Sequence, residues 1–396
     1  MKVNGERLLC QIQELGKIGF KEGSGTTRIS YSKEYEMGRD YVKKKMQEAG
    51  LQVSVDAVGN LCGLRKGYGK KILVGSHIDT VPSGGIYDGV YGVMAAIECL
   101  KVMEEEQYSN HHPIEVIAFI EEEGNVIGGT FGSKAFAGGV IDRAMLPKMH
   151  EHKITMEQVL SCKRSREEYA CYLELHIEQG GRLEAEEKEI GIVGGIVGIL
   201  RYQATVEGKS NHAGSTPMEL RRDALVKSCE IITELMKSVR SNSPEMVCTV
   251  GQMNVFPGVV NVIPGKVEFI IELRNKNMEP MKKIISDLLK KYREDGFSVS
   301  EFIHQPETLC DARLLNIVRK SADELGVSHK EMFSGAGHDL INMGLFTPSA
   351  LIFIPSQNGI SHSIEEYSSP ENLIKGADLL LHLLLKLDQK EDVNED

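Results

Sequence analysis

Three short apolar stretches of this sequence each run directly into residues that ligate metals or move protons. KILVG (Lys71–Gly75) leads into Ser76, His77, Ile78 and Asp79. IEVIAFI (Ile114–Ile120) leads into Glu121, Glu122 and Glu123. YLEL (Tyr172–Leu175) leads into His176, Ile177, Glu178 and Gln179. A lone histidine after a strand is usually a hydrogen-bonded structural residue, and a glutamate run is usually a solvated face. Three such strand ends together point elsewhere, because open α/β sheets bind ligands at the carboxyl ends of their strands. Three adjacent carboxylates also repel unless something offsets them, and a divalent cation does so. Asp88, in the turn-rich Gly84-Gly85-Ile86-Tyr87-Asp88-Gly89, adds an oxygen donor, although an Asp–Gly turn alone would explain it. His362, in Ile360-Ser361-His362-Ser363, adds a nitrogen donor, although alone it would read as a solvated loop residue. A His/Asp/Glu/His/His set without thiolates suits Zn²⁺, Mn²⁺ or Co²⁺. Asp79 stands close enough to His77 in sequence to accept its second ring N–H.

The elements that must position these residues follow from hydrophobic spacing. Helical periodicity covers 4–18 and 31–49, a hairpin-like alternation covers 51–65, and a helix over 90–106 separates the first two strands. Strands alternating with helices imply an α/β fold whose mixed sheet is covered on both faces. Residues 200–304 read differently: a strand (201–207), a long helix (about 218–240), strands at 246–255 and 266–273, a helix (279–294) and a strand (297–303). That β-α-β-β-α-β order is a split-βαβ, ferredoxin-like α+β sandwich inserted into the first domain. The expected domains are 1–199 with 309–396, and 200–308 as the insert. In the returning segment, Ala350–Ile354 reads as a strand and 371–387 as the last helix, and the acidic end Glu391–Asp396 is expected to fray.

Composition narrows the function. The 396 residues carry 57 acidic and 46 basic side chains, a net charge of -11. That balance excludes a basic nucleic-acid face and docking on an anionic membrane. Eight cysteines without a CxxC pair read as reduced thiols. No signal-peptide core and no apolar run of about 18 residues is present, so a soluble cytoplasmic protein is expected. Gly208-Lys209-Ser210 lacks the upstream glycine of a phosphate loop, and no GxSxG elbow occurs.

The motifs GSHIDTVPSGGIYDGVYGV, EEEGN, LELHIEQG, GKSNHAGSTPMELRRDAL, NVIPGKVEFIIELRN, SGAGHD and NGISHS occur in one order. Together they resemble the dinuclear-metal amidohydrolases of the M20 metallopeptidase clan, in the branch of N-carbamoyl-L-amino acid hydrolases, allantoate amidohydrolases and β-ureidopropionases. The resemblance spans about 35–385. It implies two divalent ions, one held by His77 and His176, the other by Glu123 and His362, with Asp88 bridging. It implies Glu122 as general base toward a metal-bridging hydroxide, and His212 as the donor that polarises the substrate carbonyl. It implies a clamp of Gln179, Asn261 and Arg274 on a substrate carboxylate, with Arg suited to bidentate pairing. It further implies that the insert acts as a lid and dimerises, so that His212, Asn261 and Arg274 serve the partner subunit. The reaction implied is hydrolysis of a linear amide or ureido C–N bond in a small anionic substrate.

His176 stands where the clan's peptidases usually have an acid, which argues against the competing dipeptidase or aminoacylase reading. The intact Glu122 argues against a non-catalytic metal-binding scaffold. Three loops depart from the branch. Gly124-Asn125-Val126-Ile127 replaces Gly-x-Arg-Phe, Ile86-Tyr87 replaces Arg-Phe before Asp88, and Ser363-Ile364 replaces Asn-Pro after His362. Two arginine positions are thus apolar, which predicts a less polar substrate side group. His338 and Asp339 match the family's motif without an evident role.

Overall fold

The structure, a computed structural model, describes residues 1–389. The acidic end Glu391–Asp396 lies outside the described residues. The described chain divides into two compact units, one built from Met1–Gly195 and the segment from Leu309 onward, the other from Ile196–Thr308.

The first unit is organised on a nine-stranded mixed sheet. Its centre is four adjacent parallel strands in the order Ser349–Ile354, Tyr169–Ile177, Lys71–His77, Ile114–Phe119. Leu61–Arg65 continues the sheet antiparallel to Ile114–Phe119, and Gln52–Val55 forms a hairpin with it. Ile190–Ile196 runs antiparallel to Ser349–Ile354 on the other flank. Every residue of Ile114–Phe119, Tyr169–Ile177 and Ser349–Ile354 is buried. Continuous burial of both strand faces is why these segments read as apolar runs rather than as alternation. The helix Val90–Glu105 is buried along most of its length, consistent with its nearly uniform apolar sequence.

Because the four central strands are parallel, their carboxyl ends share one edge, and His77, Phe119, Ile177 and Ile354 end there. The third strand is longer than the apolar run Tyr172–Leu175 suggests. It extends to Ile177, so His176 belongs to the strand and pairs in register with Phe353.

The second unit is a four-stranded antiparallel sheet in the order Val247–Phe256, Lys266–Asn275, Gly198–Glu207, Phe297–Gln305. The helices Ala224–Asn242 and Met278–Tyr292 pack against it through Ile231, Leu235, Met281, Ile285 and Leu288. Strict alternation of buried and half-buried residues along Lys266–Asn275 marks a sheet with one covered face. The long helix starts later than its apolar spacing suggests. Met218–Leu220 is a separate 3₁₀ turn, and the Asp223 side chain caps the helix by accepting the N–H groups of Leu225 and Val226. Among the described residues, no helix is long and apolar enough to cross a membrane.

Candidate metal centre

The five sequence-predicted ligands of the first unit converge at the shared strand edge. His77 ends its strand and is 2% exposed; His176 lies one residue from the end of the neighbouring strand and is 1% exposed. Asp88 follows the Gly84–Tyr87 turn and precedes Gly89, which caps the helix Val90–Glu105. Gly89 has φ 63° and a Cβ there would lie 2.5 Å from the His77 ring, so only glycine lets the loop close over the histidine.

The Asp88 carboxylate divides its two oxygens. Oδ1 stands 2.9 Å from His176 Nε2 and 3.5 Å from His77 Nε2, whereas Oδ2 stands 3.0 Å from His362 Nε2. His362 Nε2 is also 3.5 Å from Glu123 Oε1, a buried oxygen with no hydrogen-bond partner. Three overlapping groups result: His77–Asp88–His176, His77–Glu122–Glu123 and Asp88–Glu123–His362, each with its ligand atoms within 4.8 Å of one another. A nitrogen- and oxygen-rich donor set sharing one carboxylate, with an orphaned carboxylate oxygen, fits divalent cations of the Zn²⁺, Mn²⁺ and Co²⁺ type.

The second ring nitrogens are fixed by main-chain oxygens. His176 Nδ1 stands 2.8 Å from the Ile177 carbonyl, and His77 Nδ1 stands 3.1 Å from the Asp79 carbonyl. Donation to these carbonyls leaves a lone pair on each Nε2, and the Gly89 N–H points at that of His176 from 3.1 Å. The Asp79 side chain does something beyond the role expected of it. Its Oδ1 is 3.5 Å from His77 Nδ1, while its two oxygens accept the backbone N–H groups of Glu122 (3.4 Å) and Glu123 (3.1 Å). It therefore ties the first strand end to the second.

Backbone donors offset part of the charge of the glutamate triplet. Glu121 Oε1 accepts the N–H groups of Val126 (2.6 Å), Ile127 (2.6 Å) and Gly128 (3.2 Å), folding the loop around itself. Strand pleating does not separate Glu122 from Glu123, because the strand ends at Phe119. The separation comes from a turn with Glu121 at φ 61°. Glu122 Oε2 then lies 3.7 Å from His77 Nε2 while Glu123 Oε1 faces His362.

Electrostatics sort these groups. Burial pushes the Glu122 carboxyl well above its ordinary value, and the charges of Asp339, Glu123 and Asp79 add to the rise against His77. Burial and the neighbouring Asp88 charge push Glu123 up to about 7. Burial opposes ionisation of Asp88, but hydrogen bonds from His176, His362 and His77 outweigh it and hold that carboxyl well below the usual range. The Asp88 hydrogen bond raises His362 to about 9.

Further residues that sequence reasoning did not assign surround the ligands. Arg28 is fully buried; its Nε donates to the Ile78 carbonyl at 2.7 Å and its Nη1 to the carbonyls of Leu15 (3.0 Å) and Ile18 (3.1 Å). Glu174, also fully buried, accepts from the Ser76 hydroxyl and the Leu340 N–H. The His338 ring packs 4.6 Å from the His176 ring, centre to centre, and its Nε2 meets Ser334 Oγ at 3.0 Å. Glu366 bonds the Asp88 loop. An arginine inside Gly25-Thr26-Thr27-Arg28 or a glutamate in Glu365-Glu366-Tyr367 carries no local pattern that would single it out.

Gln179, at φ 57°, donates Nε2 to Asp88 Oδ2 at 2.7 Å and keeps a buried, unpartnered Oε1. In the second unit, His212 and Asn261 sit on two loops joined by a β-bridge, His212 to Val262, and by the Ala213 N–H donating to the Asn261 carbonyl at 3.0 Å. The His212 Nδ1 accepts the N–H groups of Gly214 and Ser215, both at 3.1 Å. That nitrogen must carry a lone pair, so the ring hydrogen of the neutral imidazole sits on Nε2. Arg274 Nε donates to Glu272 Oε1 at 2.9 Å on its own strand. The apolar replacements Ile86 and Val126 are both half-buried and pack against the core.

Residues 73–386 match the family model described as peptidase family M20/M25/M40. The chain is 36% identical over 409 residues to an N-carbamoyl-L-amino-acid amidohydrolase of Paenarthrobacter aurescens, covering 98% of this chain and 99% of that one. It is 35% identical to an allantoate amidohydrolase of Bacillus subtilis (strain 168), covering 95% and 96% of the two chains. Among solved structures, an amidase of the hydantoinase/carbamoylase family from Burkholderia multivorans superposes with a TM-score of 0.87 at 31% identity, covering 98% of this chain and 99% of that one.

Proposed function

Because the chain belongs to peptidase family M20/M25/M40, we propose that it is a metal-dependent hydrolase of a linear ureido or amide C–N bond in a small carboxylate substrate, of the N-carbamoyl-L-amino acid or allantoate type. The observation that carries this reading is the divided Asp88 carboxylate. One oxygen faces His77 and His176, and the other faces His362, which also neighbours Glu123. That arrangement supports two ions sharing Asp88, drawn from Zn²⁺, Mn²⁺ and Co²⁺. When bound, such ions supply Lewis acidity and lower the pKa of water.

The remaining roles belong to side chains. Glu122, whose carboxyl is raised above its ordinary value by burial and so made more basic, accepts a proton from the attacking water as the carboxylate and returns it to the leaving nitrogen. His212, with its hydrogen on Nε2, donates to the oxygen on which negative charge develops. In the dimer that the family resemblance implies, Arg274 and Asn261 from one subunit join Gln179 of the other on the substrate carboxylate. For Gln179 this requires turning its amide from Asp88, and its unpartnered Oε1 marks that amide as only half satisfied. Asp79 holds the Glu122–Glu123 turn against the His77 strand.

The second unit supports homodimerisation. Its edge strand Val247–Phe256 has no buried residue, and Phe256, Val259 and Val260 beside its end are exposed at 44%, 52% and 103%. Uncovered apolar edges of this kind are paired or shielded in stable proteins. A cytoplasmic enzyme with reduced thiols agrees with eight free cysteines.

The test is one assay plate. Protein stripped of metal is reloaded with Mn²⁺, Co²⁺ or Zn²⁺ and given N-carbamoyl-L-amino acids, allantoate, β-ureidopropionate, ureidoglycolate and dipeptides. Metal-dependent release of the carbamoyl or ureido nitrogen is expected. Preference for dipeptides would overturn the assignment.

A further inference from the structure

We propose that Glu366 is a positioning residue of the metal centre: its carboxylate clips the Asp88 loop to the His362 loop and so sets the two Asp88 oxygens between their donor groups. The inference rests on the dinuclear reading above. Glu366 Oε1 accepts the backbone N–H groups of Tyr87 (2.9 Å) and Asp88 (3.2 Å). Its Oε2 meets the Ser361 hydroxyl at 2.8 Å, and that hydroxyl also stands 3.2 Å from Asp88 Oδ2. One side chain thus touches the main chain of the shared ligand and the residue preceding His362.

Glu366 is 5% exposed. A buried carboxylate costs free energy unless its oxygens are hydrogen-bonded. The partners it has found lie 279 and 278 positions away in sequence, in the Asp88 loop, and five away, beside His362. The Asp88 loop is also shaped to admit it. A Cβ on Gly85 would lie 2.1 Å from Glu366 Oε1. The second glycine of Gly84-Gly85 is therefore a steric gap cut for this carboxylate, not a turn requirement. Outer partners of metal ligands hold the donor atoms ready and commonly change metal affinity 10–100-fold when removed.

Three variants separate a clip from a charge and from a mere fold staple. Glu366→Gln keeps an oxygen for the Tyr87 and Asp88 N–H groups, and its amide can donate to Ser361 Oγ, whose own hydrogen then turns to Asp88. Glu366→Ala leaves those two N–H groups buried without an acceptor. Ser361→Ala cuts only the link to the His362 loop. For each, the metal-free protein is titrated with Zn²⁺ against a chromophoric chelator, bound metal is counted by mass spectrometry, and the metal-free Tm is recorded.

We expect Glu366→Ala to weaken Zn²⁺ binding about 10–100-fold, Glu366→Gln to bind close to wild type, and Ser361→Ala to fall between with an unchanged metal-free Tm. Wild-type affinity in Glu366→Ala overturns the proposal. So does equal weakening in Glu366→Gln and Glu366→Ala, since that assigns the effect to charge. Should Glu366→Ala not fold, Ser361→Ala decides, and unchanged affinity there overturns the proposal. A wild-type chain that takes up fewer than two ions refutes the dinuclear reading instead, whatever the variants do.

Discussion

Replacing Glu122 by Gln should move activity and stability in opposite directions. The change is isosteric, and the Glu122 main chain stays bonded to Asp79. The amide cannot accept a proton, so the loss equals the share of catalysis owed to general base action. That share is typically 10²–10⁴-fold, or about 2.7–5.5 kcal/mol of barrier. Stability follows from the sign of the pKa shift. Burial, with Asp339, Glu123 and Asp79 nearby, raises the Glu122 carboxyl well above its unfolded value. Above the unfolded value, the metal-free fold must hold on Glu122 a proton that the unfolded chain releases, and this penalty grows as pH rises toward the folded value. Gln carries no charge and removes that penalty. The assay is kcat on the best ureido substrate, bound metal per chain, and the metal-free Tm at pH 8. The expected result is kcat down by at least a hundredfold, unchanged metal content, and Tm equal to or above wild type. The grouping of His77 with Glu122 and Glu123 makes a ligand role geometrically open. Loss of an ion on substitution would make Glu122 a ligand, and turnover within tenfold of wild type would remove it from the reaction.

Further expectations rest on separate contacts. Arg28→Met leaves the carbonyls of Ile78, Leu15 and Ile18 without their donor and Asp79 without a buried cation nearby, which should cost about 3–5 kcal/mol in chemical denaturation; a loss within 1 kcal/mol would contradict the bonding described. Metal-free protein should lose stability as pH rises, between about 4.5 and 7 through Glu123 and between about 6.5 and 9 through His362, since both folded values are raised and the folded state holds the extra protons. Metal uptake should strengthen over the same range because ligation displaces those protons, so the Tm gap between loaded and stripped protein should widen with pH; a constant gap would refute this. Arg274→Lys should raise KM for carboxylate substrates about tenfold or more, through loss of one of two parallel hydrogen bonds, with kcat less affected; an unchanged KM would remove Arg274 from the site.

Three of the five proposed ligands, His77, Glu123 and His176, were legible because their signal is local. An apolar run ending in His or Glu states both the element and the edge at which it stops, and His77, His176 and the Glu122–Glu123 pair needed nothing more. Asp88 and His362 are loop residues, and without the family resemblance each would pass as a turn. What was not legible depends on distant partners. Glu121 looked like one of three equivalent carboxylates, yet it spends its charge on the amides of its own loop. Arg28 and Glu366 act on segments remote in sequence, so no spacing announces them. His176 was placed beyond its strand because the run was read as ending at Leu175, before the polar ring. Inside the sheet, Glu174 is tolerated through its bonds to Ser76 and Leu340. The helix after Pro217 was placed early because apolar spacing continues through Met218 and Leu220, whereas the cap at Asp223 decides where hydrogen bonding begins.

The parallel pairing of Ser349–Ile354 with Tyr169–Ile177 has a consequence for synthesis. The chain leaves the sheet for the second unit after Gly195 and comes back at Leu309. A ribosome-bound chain that has emerged through the second unit therefore has the His77, Asp88 and His176 donors but neither His362 nor Glu366. Closing so long a loop is slow, and nothing local rewards it beforehand. Four of the five proposed donors, Glu123 among them, are available before the fifth exists, so the proposed donor set is complete only when His362 has been made. A product truncated before the returning segment would keep the His77–Asp88–His176 group and lack the Asp88–Glu123–His362 group.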